Sequence, residues 1–209
     1  MRSVAIAVAS AAALLVGCAP QPTDSAATAE LTVFAAASLT ATFTELGERF
    51  EAAHPGTTVA FNFAGSATLV AQLDQGAPAD VFASADTTNM TRAVDAGVVD
   101  GSVNFATNTL TIVTPPANPK NITTFADLAE PGTQVVLCAP PVPCGAAADK
   151  VQRATGGTLA PVSEESAVTD VLGKVLSGQA DAGLVYVTDA AGAGTSVNTV
   201  AIPEAAVAV

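Results

Sequence analysis

From residue 31 onward, short apolar runs alternate with amphipathic stretches at helical spacing, which confines the chain to α/β architectures with largely parallel sheets. In the first unit, Leu31-Thr-Val-Phe-Ala-Ala-Ala-Ser-Leu39, an apolar strand passes through three alanines and a serine directly into a helix. That helix sets Leu39, Phe43, Leu46 and Phe50 on one face and stops at His54-Pro55-Gly56. Ser38 therefore falls at a helix N-terminus, where free backbone N–H groups and the positive end of the helix dipole favour an anion without any charged side chain. His54 reads as a helix-end residue with no chemistry of its own.

Composition sets limits on the ligand. Half of the 209 residues are apolar, enough for a real core, and only 12% are charged. A net charge of −12 repels nucleic acid and acidic membranes, so an anion must be held by local donors in a closed, desolvated pocket.

The first thirty residues read as export and tethering signals. Arg2 precedes an apolar run over 4–16, too short to span a bilayer, and Leu15-Val-Gly-Cys18 follows it. The tetrad resembles a bacterial lipobox, which predicts a signal peptide over 1–17 and lipidation of Cys18. The Pro-, Ser-, Thr- and Ala-rich remainder up to residue 30 reads as a flexible tether. The expected location is the outer face of the cell membrane, on the periplasmic or envelope side.

Further strands are predicted over 58–63, 80–84, 110–114, 134–138 and 183–187. Helices are predicted over 67–73, 87–96, 124–129, 146–154 and 167–176, the last with Val168, Val171, Leu172, Val175 and Leu176 on one face. The polar stretch 115–121 reads as a surface loop near a crossing between two lobes. Several junctions repeat the opening theme. Ser66 follows a strand and Gly65, Cys144-Gly145 follows Pro143 and opens a helix, Val168 lies in a first helical turn, and Tyr186, the only tyrosine, ends an apolar strand. Off the carboxyl ends of strands is where α/β folds bind ligands. On sequence alone, the serines are equally ordinary helix caps, Tyr186 a core residue and Val168 core packing.

Ala35-Ala-Ala-Ser-Leu39, Gly65-Ser66, Ala77-Pro-Ala-Asp-Val-Phe-Ala-Ser84, Val142-Pro-Cys-Gly145 and Gly183-Leu-Val-Tyr186 together resemble the periplasmic molybdate-binding proteins of ABC importers, over residues 31 to 189. The resemblance implies a two-lobed periplasmic-binding-protein fold (type II-like) closing on molybdate or tungstate, with residues 31–109 plus 186–209 as lobe 1 and 110–185 as lobe 2. It implies a monomer with no cofactor and no enzyme activity, partnered by an ABC permease and its ATPase, with molybdenum present only as the bound oxyanion. The implied ligands are the side chains of Ser38, Ser66 and Tyr186 and the backbone N–H groups of Cys144 and Val168. The family usually has alanine where Cys144 stands, so only its amide carries over. Family members continue past the binding tyrosine with another strand and a closing pair of helices, whereas this chain ends at Val209, which points to a truncated product.

The chemistry agrees independently. An unprotonated tetrahedral dianion presents only acceptors and takes roughly seven or eight hydrogen bonds from neutral donors. No Asp or Glu occupies the junction positions. Arg49, Arg92, Lys150, Arg153 and Lys174 fall within helices and Lys120 in a loop, so none marks a ligand clamp, and there is no Trp to stack on a sugar. Sulfate or another oxyanion is the alternative ligand. Cys138 and Cys144, six residues apart in an exported protein, are expected to form a disulfide that stiffens the loop presenting the Cys144 amide. The rival reading, a secreted thiol–disulfide protein, lacks the C-x-x-C spacing, and no histidine cluster accompanies the cysteines to make a metal site.

Overall fold

The computed structural model describes residues 29–208; Cys18 and the signal and lipidation expectations lie outside them. Two sheets organise the chain, each flanked by helices. The first contains β1 (Ala29–Ala36), β2 (Thr57–Ala64) and β3 (Val81–Ala83) in the order β2-β1-β3, all parallel. Helices α1 (Thr40–Ala53), α2 (Ser66–Asp74) and α3 (Thr87–Asp95) connect and follow these strands. β1 begins at Ala29, so the last two residues assigned to the tether are already strand, paired with Thr57 and Thr58.

The second sheet holds β4 (Leu110–Thr114), β5 (Val135–Cys138), β6 (Ser163–Glu165), β7 (Ala182–Tyr186) and β8 (Asn198–Ala201) in the order β6-β5-β7-β4-β8. β5 runs parallel to β6 and β7, while β4 is antiparallel to β7 and β8. β4, β5 and β7 are buried at every residue, as strands covered on both faces must be, and this is why they read as largely apolar runs, broken in β4 only by the buried Thr111 and Thr114. Helices α4 (Pro143–Thr155), α5 (Val168–Leu176) and α6 (Val187–Ala193) complete this lobe. Val171 and Val175 of α5 pack in its core with Leu184, Val185 and Val136.

Two expectations are corrected. Residues 186–208, expected with the rest of the C-terminus in the first lobe, do not return to it: Tyr186 ends β7, and β8 pairs with β4 through Thr111↔Ala201 to Thr114↔Asn198. Ile202 and Ala205 then bury into the second core. Among the described residues the chain thus crosses between the lobes once, between α3 and β4. The apolar row on α1 is also only half used. Leu39 and Phe43 pack on the first sheet, but Leu46 is 51% and Phe50 41% exposed, and the buried residue of the helix is Gly47. A Cβ at Gly47 would lie 2.6 Å from the Phe61 ring, so the missing side chain lets α1 settle onto β2 with that ring beneath it. Phe50 instead stacks on His54, which closes α1 as its C-terminal cap.

Candidate functional site

The five residues singled out at strand–helix junctions converge on one cavity of about 10 Å³, room for a single water. Its walls are Ala36, Ala37, Ser38, Gly65, Ser66 and Ala85 from the first lobe and Val142, Pro143, Cys144, Val168 and Tyr186 from the second. No lysine or arginine is among them.

Each junction delivers its donor for a local reason. β1 ends in small, buried residues, Ala35 at 0% and Ala36 at 2% exposure, and a 3-10 turn over Ala37–Leu39 carries Ser38 before α1 begins. The turn, absent from the sequence expectation, is closed by the Thr40 hydroxyl donating to the Ala37 carbonyl at 2.7 Å. Gly65 caps α2 and Ser66 opens it, 1% exposed. The Ala85 N–H donates to Ser66 Oγ at 3.0 Å, which occupies an acceptor lone pair and leaves the serine proton for a ligand. On the other wall, Val142 caps α4 with Pro143 as its first residue, so Cys144 lies in the first turn, where amides lack intrahelical partners. Cys144 is disulfide-bonded to Cys138, with the Cα atoms 5.6 Å apart. Val168 is the first residue of α5. The 3-10 turn ahead of α1 and the N-terminal turns of α2, α4 and α5 thus surround one small volume, a concentration of partial positive charge in place of cationic side chains.

Two carboxylates missed by sequence reasoning act on Tyr186. Burial, and then the negative charges of Asp86 and Asp189, push its hydroxyl far above the ordinary phenol range, so it keeps its proton. Asp189 accepts the Tyr186 N–H at 3.1 Å and so fixes the turn from β7 into α6. Burial raises the Asp189 carboxyl to about 6, against the opposing effect of that same hydrogen bond. Its spacing, three residues past the cap Tyr186, is a capping signal readable from sequence. Asp86 carries no such signal toward Tyr186, because only the folded chain brings α3 near β7.

The lobes meet tightly around the cavity. A Cβ on Gly65 would stand 2.0 Å from the Ser166 carbonyl of the opposite lobe, so only glycine permits this approach. Among the described residues no cluster of three or more His, Cys, Asp or Glu could hold a metal ion, and no helix is long and apolar enough to cross a membrane.

Two α/β lobes closing on a small cavity lined by serine, tyrosine and first-turn amides have the architecture of a solute-binding protein. The chain belongs to the bacterial extracellular solute-binding protein family, which it matches over residues 31–208. It is 58% identical over 177 residues to the molybdate-binding protein ModA of Mycobacterium tuberculosis H37Rv, covering 84% of this chain and 68% of the relative. Among solved structures, the periplasmic molybdate-binding protein of Azotobacter vinelandii aligns with a TM-score of 0.64 at 25% identity, covering 75% of this chain and 71% of that one. The sulfate-binding protein SubI of M. tuberculosis H37Rv shares the fold, with a TM-score of 0.70 at 20% identity over 84% of this chain and 71% of its own. Each of these relatives is a binding protein for a small oxyanion.

Proposed function

We propose that this protein captures molybdate outside the cytoplasm and delivers it to an ABC permease and its ATPase. The observation that carries this reading is the convergence of Ser38, Ser66, Tyr186 and the amides of Cys144 and Val168 on one cavity free of cations, in a chain so similar to a molybdate-binding protein. Three hydroxyls and the first-turn amides offer donors to an ion that presents only acceptors, and the alanines of the β1 turn let that ion reach the backbone. The cavity as it stands holds about one water, so the lobes must part to admit a tetrahedral oxyanion and close again around it.

Tungstate, with the same shape and charge, is a second ligand. A monomer tethered through lipidated Cys18, with residues up to 28 as the linker, keeps the protein beside its permease. The thiol–disulfide alternative is disfavoured, because Cys138 and Cys144 are bonded to each other and 5% and 2% exposed. Calorimetric titration with molybdate, tungstate, sulfate and phosphate tests the reading. Saturable heat from the first two, with phosphate silent, supports it; binding confined to sulfate or phosphate refutes it.

A further inference from the structure

Asn89, in the first turn of α3, is a polar residue with only 1% of its surface exposed. Within its own lobe the carboxamide is held from both ends. Nδ2 donates to Asp86 Oδ1 at 3.0 Å and to Oδ2 at 3.2 Å, while Oδ1 accepts from the Arg92 guanidinium at 3.1 Å. A donor against a carboxylate and an acceptor against a guanidinium allow one orientation of the amide. In that orientation Nδ2 also reaches across the cleft to the Pro141 carbonyl of the second lobe, 3.4 Å away.

The acceptor is as firmly placed as the donor. Pro141 lies inside the loop closed by the Cys138–Cys144 disulfide. The same loop is tied by the Val142 N–H to the Ala139 carbonyl at 2.9 Å and by the Ala139 N–H to the Glu165 carbonyl at 2.9 Å. Ala85, next to Asp86, and Val142, next to Pro141, both line the cavity, so this bond spans the cleft just beside the ligand space.

We propose that Asn89 is a closure latch, a positioning residue that touches no ligand but bonds the disulfide-braced loop when the lobes shut, and thereby slows release of the bound oxyanion. The proposal rests on the molybdate reading for its probe. A contact made only in the closed state stabilises that state alone, so it acts on departure of the ligand and leaves encounter with the open cleft unchanged. An aspartate at this position would oppose a second acceptor to the Pro141 carbonyl, which is why the amide is needed.

The test is the rate at which the full chain, loaded with labelled molybdate, releases it into excess unlabelled molybdate. Asn89→Ala and the smaller polar change Asn89→Ser are expected to release about three- to tenfold faster, the worth of one neutral hydrogen bond, with association unchanged. Thr44→Ala removes a hydroxyl that bonds only the Thr40 carbonyl at 2.7 Å on the exposed face of α1, away from Asn89, and is expected to release at the wild-type rate. Wild-type release from both Asn89 variants, even with a lowered melting temperature, reduces Asn89 to a helix-start residue and overturns the latch. If the wild type takes up no molybdate, the functional reading fails instead. The latch is then judged in the ligand-free protein by exchange of the Ala139 and Val142 amides, which Asn89→Ser must speed for it to stand.

Discussion

Ser38 and Ser66 carry the same hydroxyl but sit in different surroundings. Ser66 is fully buried and also receives the Ala85 N–H, whereas Ser38 is only partly buried in its 3-10 turn. Ser38→Ala and Ser66→Ala should each weaken molybdate binding by roughly 1.5–3 kcal/mol, about ten- to a hundredfold, as loss of a charge-assisted donor does. Only Ser66→Ala should also lower the ligand-free melting temperature, because it strands the Ala85 amide. Calorimetry and thermal unfolding on the same two variants separate these effects; unchanged affinity in both removes the serines from the site. Asp189 gives a pH signature. Its folded value, raised to about 6 above an ordinary 3.8, means the native state binds the proton more tightly than the unfolded chain. Its contribution to stability is therefore complete below about 4 and lost as pH rises through about 6. Asp127, held low by the Thr123 and Thr124 amides, works in the opposite sense, so the prediction concerns a difference between proteins. Denaturant unfolding across this window should show Asp189→Asn gaining on the wild type as pH rises, and parallel curves would refute the burial of that charge.

At the scale of elements, the strands were legible because burial on both faces writes itself as mostly apolar, β-branched runs, as in 110–114 and 135–138. The rotation of α1 was not. Its apolar row suggested a face through Leu46 and Phe50, whereas the steric freedom of Gly47 over Phe61 decided the packing. β8 was hidden for another reason: Asn198-Thr-Val-Ala201 alternates too weakly to announce a partner, and its pairing with β4 exists only in three dimensions. The junction serines and amides were readable because each stands where a strand meets a helix. Asp86 was not, being brought to Tyr186 by the meeting of two lobes. The disulfide and Gly65 make element-scale predictions. Cys138→Ser with Cys144→Ser should cost about 2–3 kcal/mol of stability for so short a closed loop, read from denaturant unfolding with and without reductant. Gly65→Ala should hold the lobes apart at Ser166, lowering affinity at least tenfold with little change in ligand-free melting temperature. An unaltered dissociation constant would show that closure does not need that contact.

At the scale of the whole molecule, the two lobes are unequally built. The second encloses one continuous core that runs from Leu110 to Ala205, while the first holds two small clusters around Val33, Ala35 and Ala83 and around Phe34, Leu69 and Leu73. The first lobe also exposes Leu46, Phe50, Val103 and Phe105. Stability should follow this division: amide exchange is expected to be slowest in β4, β5 and β7 and faster in β2 and β3, and uniform protection would contradict it. On the proposed reading binding needs both lobes, because each supplies only part of the cavity wall, and a net charge of −12 gives no long-range help in drawing an anion in. Selectivity must therefore come from the closed cage of neutral donors, which suits an ion with no proton to place and disfavours one that carries a proton. The most direct test of that claim is calorimetric titration of the purified protein with molybdate in competition against phosphate at neutral pH. Saturable one-to-one binding of molybdate, undisturbed by excess phosphate, is the predicted result; no molybdate heat, or its displacement by phosphate, would contradict it.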